Sequence, residues 1–180
     1  MNVKALKYMG LIALFVLISG KGWAANYVDG SITVTPVANV SLNLPTTYYA
    51  FGNVPVNTST SSATGLSLEN NGNVGVTVSK KISVESAPAG WTAAVSTGTV
   101  NEYTLYCATS ASQFAIGSFG SGTKFGALNN STSLTAADGV SNTSIAVSGS
   151  ANLWFRLDMP TTVSTQEART ITLEFTASAI

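Results

Sequence analysis

Apolar and polar residues alternate along much of this 180-residue chain. The clearest case is 169–177, where Ile171, Leu173, Phe175 and Ala177 alternate with threonine and glutamate. A period of two places the two sets of side chains on opposite faces of a β-strand. We therefore predict a strand over 169–177 with its apolar set facing a core.

The same period predicts strands at 101–108 and 151–157. Predicted strands recur about every ten residues, with turn-forming residues between them, which is typical of an all-β antiparallel sandwich of about seven to ten strands. The side chains that we assign to the core in these two strands are Tyr103, Leu105, Cys107, Leu153, Phe155 and Leu157.

Two short alternating segments lie near the N-terminus, at 31–35 and 40–44, and each is followed by a proline. Proline lacks the backbone N–H donor and belongs at strand ends or edges, so we predict two short edge strands. The first strand, which carries Ile32 and Val34, either exchanges between copies or docks within its own domain.

The turn at 70–73 connects two alternating segments, 66–70 and 74–78. A two-residue hairpin turn at Asn71-Gly72 would place the leucines of the first segment and the valines of the second on opposite faces of one sheet. We therefore expect either a three-residue loop with a bulge, with Gly72 left-handed, or a connection that crosses from one sheet to the facing sheet.

Residues 48–84 carry a family resemblance. The sequence AFGNVPV at 50–56 is followed by a Ser/Thr run, an alternating strand and the motif N-x-G-N at 70–73. This order resembles the Ig-like modules of the abnormal-spindle and hydin type found in bacterial secreted proteins. The resemblance implies a single Ig-like sandwich used for binding or assembly, without a catalytic site, although 91–145 is longer than that pattern expects.

The region 110–149 is rich in glycine, serine and asparagine. A structureless loop of this length is unusual, so we predict short strands or a helical turn within it. Its large apolar side chains either pack inward as a satellite core, which we favour, or form an exposed contact patch. These side chains are Phe114, Ile116, Phe119, Phe125 and Leu128.

The N-terminus has the pattern of a secretory signal peptide. Lys4 and Lys7 precede an apolar run at 9–20, and small residues end at Ala24. The run is too short to span a bilayer as a helix, which needs about 20 residues. We predict a signal peptide over 1–24 and one domain over 25–180, secreted to the periplasm, cell surface or medium, with no membrane span after cleavage.

Charge is sparse in the predicted mature chain. Three of the eight basic residues precede Ala24, so five remain beside eight acidic residues. Phosphate binding needs clustered Lys and Arg, so we expect no nucleic-acid partner. We interpret the only basic pair, Lys80-Lys81, as a solvated strand end. The uncharged, hydroxyl-rich surface is either an assembly surface or only a polar coat.

Residues suited to catalysis or metal binding are scarce. The chain has no histidine and a single cysteine, Cys107, and its carboxylates are scattered. The commonest general base and metal ligand is therefore missing, and an internal disulfide is impossible. We expect no enzyme activity, no cofactor and no metal, with Cys107 acting as a small buried hydrophobe.

Two functional hypotheses remain. The first is a structural subunit of an extracellular fibre or matrix that associates with itself or with other surface proteins through strand edges. Its assembly residues would be Ile32, Val34, Ile171, Leu173 and Phe175. The alternative is a carbohydrate- or peptide-binding module that contacts glycans or the cell wall through an exposed aromatic platform. That platform would consist of Trp91, Trp154 and Tyr106.

Overall fold

The computed structural model describes residues 31–95, 99–113, 115–136, 139 and 142–180. The predicted signal peptide at 1–24 and Phe114 lie outside these residues. The chain divides into a unit that ends at Pro36 and a compact unit of Val37–Ile180. All of the strands lie in the second unit.

Eleven strands and two short 3₁₀ turns form the described part of this unit. The turns are Ile116–Ser118 and Ser121–Thr123. The strands are β1 Leu42–Asn43, β2 Ser59–Ser61, β3 Leu66–Asn70, β4 Val76–Ala87, β5 Thr92–Ala93, β6 Glu102–Thr109, β7 Thr132–Ser133, β8 Thr135–Ala136, β9 Ser144–Ile145, β10 Ser150–Asp158 and β11 Thr170–Ala179.

The strands form two sheets, which confirms the predicted all-β character. The larger sheet has the order β1-β3-β10-β6-β5, with β2 beside β10 and β8 beside β6. The smaller sheet has the order β11-β4-β7, with β9 also beside β4. The Ig-like type of sandwich stays a prediction.

A single apolar core lies between the sheets. The larger sheet contributes the side chains predicted from alternation, and the smaller sheet contributes the inward row of β4 and the partly buried row of β11. The long strands β3, β4, β6 and β10 each turn one row of buried side chains into this core, as a period of two allows. The predicted core residues Tyr103, Leu105, Cys107, Leu153, Phe155 and Leu157 are all buried.

The connection from β3 to β4 crosses from the larger sheet to the smaller one. The plain Asn-Gly hairpin is thus excluded and the crossing is confirmed. Asn70 holds it: its buried side-chain amide donates to the carbonyls of Val74, Ile145 and Ala146 at 2.8–3.2 Å. Its Oδ1 accepts the Gly72 N–H, where the backbone passes too close to the chain at 39–41 for any larger residue.

Part of the glycine- and serine-rich region covers the outer face of the larger sheet. Trp154 Nε1 donates to the Ser110 carbonyl at 3.0 Å, and the Tyr106 ring packs edge-on against Phe119. The two 3₁₀ turns and β7–β9 confirm the predicted short elements in this region. Phe119 and Phe125 are buried, as predicted, whereas Ile116 and Leu128 are exposed.

The N-terminal prediction is wrong in one respect. Residues 31–35 are described but belong to no strand, so the first predicted edge strand is not formed. The second predicted segment, 40–44, forms only the two-residue β1 beside β3. None of the described helical segments is long and apolar enough to cross a membrane.

Candidate functional site: the open edge of β11

β11 is the outermost strand of the smaller sheet and the longest edge strand that the structure describes. It pairs antiparallel with β4 over ten residues, Thr170–Ala179. No strand pairs with its other edge anywhere in the described parts of the chain. A row of backbone N–H and C=O groups is therefore left open to solvent.

The inner row of β11 is only half covered. Ile171, Leu173, Phe175 and Ala177 point to the core and pack against it, yet each is only partly buried, whereas the corresponding residues of β4 are buried. A strand at the end of a sheet lacks a neighbour that would shield its side chains from one side. The open edge thus has an apolar side and a backbone hydrogen-bonding side.

The outer row of β11 is hydroxyl-rich and almost uncharged. It contains Thr170, Thr172, Thr176 and the carboxylate of Glu174. Glu174 is paired with Lys81 of β4 at 3.0 Å. Single-sign charge is one of the usual means by which edge strands repel other strands, and it is missing on this face.

The other outer strands among the described residues are short. Strands β1, β5, β7 and β9 have two residues each and β2 has three. β11 itself has a register irregularity between Thr170 and Leu173, where β4 contains extra residues. Bulges of this kind twist an edge away from regular pairing. The regular part of the open edge is therefore 173–179.

The start of β11 is anchored by Arg169. Its guanidinium donates to the carbonyls of Pro88 and Ala89 and to the Thr165 hydroxyl. The side chain is buried, and its charge lies 3.7 Å from the Glu167 carboxylate. These contacts fix the strand to the 87–90 turn and leave its later residues as the exposed part of the edge.

The structure separates the five predicted assembly residues into two places. Ile171, Leu173 and Phe175 lie together on the inner row of β11. Ile32 and Val34 lie on the extended segment before the compact unit, with side chains that are 93% and 77% exposed. Both groups therefore consist of apolar side chains that are at least partly exposed to solvent.

The predicted aromatic platform is not formed. Trp154 and Tyr106 are buried beneath the segment that covers the outer face of the larger sheet. Trp91 is half-buried and packs from the inner side of that sheet, with its ring 6.1 Å from the Tyr103 ring. The three aromatic rings therefore lie in two separate clusters, and the predicted solvent-facing surface is wrong.

Lys80 is the residue that sequence reasoning missed. The expected solvated strand end is wrong, because both lysines lie inside β4: Lys81 is partly exposed, and Lys80 is fully buried between the sheets. Its ammonium donates to the carbonyls of Cys107 and Thr123, both at 2.9 Å, and lies 5.4 Å from the centre of the Phe125 ring. The alternation of β4 contained the signal, because position 80 is in phase with the buried valines at 76 and 78.

Burial shifts the pKa values of three polar groups inside the protein. Burial lowers the pKa of Lys80 to about 8, against a weaker opposing effect of Cys107. Burial raises the pKa of the Cys107 thiol to about 12, so the thiol stays protonated at neutral pH. Burial also raises the pKa of Tyr103, whose hydroxyl donates to the Glu85 carbonyl at 2.9 Å.

Metal ligands do not cluster in the described ranges, where no group of three or more His, Cys, Asp or Glu side chains could hold an ion. The candidate functional site is the backbone edge of β11, whose N–H and C=O groups have the chemistry to hydrogen-bond to another strand. Comparisons of this chain with protein-family models, with curated proteins and with solved structures found no match.

Proposed function

We propose that this chain is a secreted, non-enzymatic subunit of an extracellular or cell-surface fibre or matrix, and that its copies associate through β-strand edges. The observation that carries the proposal is the open edge of β11. It combines unpaired backbone groups over 173–179 with a half-covered apolar row. Strand addition to such an edge gives affinity through main-chain hydrogen bonds and specificity through alternate side chains.

The contrast among the edges supports this function. Natural β proteins avoid association by keeping edges short, charged or bulged. The other outer strands that the structure describes follow that rule, with two or three residues each. β11 does not follow it, since seven of its residues, 173–179, continue in regular register and its one carboxylate is neutralised by Lys81.

The surface composition agrees with an assembled protein outside the cytoplasm. The predicted mature chain has few charges, and threonine and serine occupy most exposed strand positions. Low charge weakens the repulsion that keeps soluble proteins apart. The proposal includes export through the signal peptide at 1–24 and an Ig-like arrangement of the sandwich.

The direct test is the association of residues 25–180, the mature protein under this proposal. Sedimentation velocity over a range of concentrations and negative-stain microscopy should show species that grow with concentration, as fibres or oligomers. A protein that stays monomeric at the highest attainable concentration would overturn the proposal. N-terminal sequencing of the exported protein should begin at Ala25.

A backbone variant tests whether the β11 edge is responsible. Ala177→Pro removes an N–H near the middle of the open edge, and proline is tolerated where that N–H faces solvent. We expect loss of association while the circular dichroism spectrum and thermal transition remain those of a folded protein. The matched control is Ala115→Pro, since Ala115 is exposed and its φ of −58° already suits proline.

A further inference from the structure

We propose that residues 31–35 of one copy add as a strand to the open edge of β11 in a second copy. The inference rests on the proposed function and identifies both partners of its contact. The donor is the segment 31–35, Ser-Ile-Thr-Val-Thr, which belongs to no strand of its own chain. The acceptor is the regular part of β11.

The hydrogen-bonding phase of the open edge follows from the contacts of β11 with β4. In an antiparallel ladder, alternate residues direct both of their backbone groups to the same neighbour. The Ile180 N–H donates to the Gly75 carbonyl at 3.0 Å, and the Thr176 carbonyl accepts the Ser79 hydroxyl. The even-numbered residues of β11 therefore direct their backbone N–H and C=O groups toward β4. The residues that present their N–H and C=O to the open edge are Leu173, Phe175, Ala177 and Ala179.

The side chains of the donor match the two faces of the acceptor. Neighbouring strands place paired residues on the same face of a sheet. With Ile32 and Val34 turned inward, the donor continues the apolar row of Leu173 and Phe175. Its serine and threonine side chains then continue the outer threonine row of β11. A slip by one residue would turn both apolar side chains outward, so the parity of the register is fixed.

The donor has apolar surface to bury. Ile32 and Val34 are 93% and 77% exposed, and the inner row of β11 is only partly covered. Docking would remove both surfaces from water at once, which favours association. Branched aliphatic side chains such as these also suit a pleated, half-buried position.

The donor leaves the compact unit from a fixed point. The carbonyl of Val37 accepts a hydrogen bond from the Asn73 side chain at 2.9 Å, and the Asn39 N–H donates to Asn73 Oδ1. Donor and acceptor are different surfaces of the same chain. Contacts of this heterologous type build rings when the rotation closes and open filaments when it does not.

Charge placed on one or the other face of the donor tests the contact. In Ile32→Asp/Val34→Asp, two carboxylates would have to enter the apolar side of the edge, so we expect association to weaken about a hundredfold or more. The matched control is Thr33→Asp/Thr35→Asp, which adds the same charge on the outward face and should associate far more strongly. Neither variant alters a residue of a folded strand.

Cysteine cross-linking identifies the partners directly. Copies with Thr33→Cys are mixed with copies that carry Thr176→Cys or Glu174→Cys, and the mixture is oxidised. We expect covalent dimers that contain one copy of each variant. The native Cys107 is fully buried and should not interfere. Equal cross-linking with the Ile32→Asp/Val34→Asp changes added would contradict the contact.

The outcomes separate this inference from the proposed function. If the parent assembles, Ala177→Pro abolishes assembly and Ile32→Asp/Val34→Asp does not, then the edge is used and this donor is wrong. If the parent is monomeric, the proposed function itself fails. A monomer whose Thr33→Cys/Thr176→Cys double variant cross-links within one chain would overturn the inference in favour of docking in the same copy.

Discussion

Replacing the buried ammonium of Lys80 should change how stability depends on pH. The side chain is 0% exposed and crosses the core from β4 to the backbone of β6. Lys80→Met keeps the unbranched chain and removes the charge. Burial disfavours the charged amine and lowers its pKa from 10.5 to about 8 in the folded protein.

The sign and size of the effect follow from these two values. Because the folded pKa is the lower one, the unfolded chain binds more protons between pH 8 and pH 10.5, and the free energy of unfolding rises with pH across that window. The full penalty, present below pH 8, is about 3 kcal/mol. Most of this, about 2–3 kcal/mol, should be regained between pH 7 and pH 10.

Urea unfolding followed by tryptophan fluorescence measures this difference. The free energy of unfolding of the parent minus that of Lys80→Met should rise by about 2–3 kcal/mol from pH 7 to pH 10. Cys107 and Tyr103 have raised pKa values and lower the stability as the pH increases. Both groups are present in the two proteins, so their contributions largely cancel in the difference.

The neighbouring lysine provides the matched control. Lys81→Met removes the same charge from a side chain that is partly exposed and paired with Glu174 at the surface. Its difference from the parent should not show the rise expected for Lys80. If the Lys80→Met difference stays constant within about 0.5 kcal/mol between pH 7 and pH 10, the buried ammonium is not the titrating group.

Two further predictions concern the crossing and the thiol. Asn70→Ala should lower the free energy of unfolding by about 2–4 kcal/mol, because three carbonyls, that of Ile145 in a buried contact and the other two in part-buried ones, lose their donor; the exposed Asn71→Ala should change it by less than about 0.5 kcal/mol. Equal effects would contradict the assignment. A thiol reagent at pH 8 should leave Cys107 unmodified in the native protein and react only after unfolding; rapid native labelling would show an accessible thiol.

The strands that turn one face to the core could be predicted from the sequence. Alternation over 101–108, 151–157 and 169–177 correctly gave the inward side chains of β6, β10 and β11. Requiring the apolar residues before and after 70–73 to face the same core left two possible connections, a bulged loop or a crossing between sheets. The structure has the crossing. These inferences depend only on the period of a strand and on the need to bury one face.

Features that depend on distant segments could not be predicted in this way. Tyr106 and Trp154 point away from the core, and they are buried because Ser110 and Phe119 lie over that face. Alternation cannot show such a third layer. Residues 31–35 have the period of a strand but form none, and Lys80 follows the apolar phase despite its charge. The alternation of residues describes one segment, whereas the burial of a side chain depends on which other segments pack against it.

The hydrogen bonds that the Asn73 side chain makes to Val37 and Asn39 have a mechanical consequence. In the proposed fibre, tension would arrive at β11 and leave through 31–36, which is joined to the compact unit at Val37. Asn73 ties Val37 and Asn39 to the crossing beside Gly75, and Gly75 is bonded to Ile180 at the end of β11. The pulling force would therefore load the ladder of β11 with β4 in shear. Because the chain after Val37 continues into β1, which pairs with β3, part of the force would also enter the larger sheet.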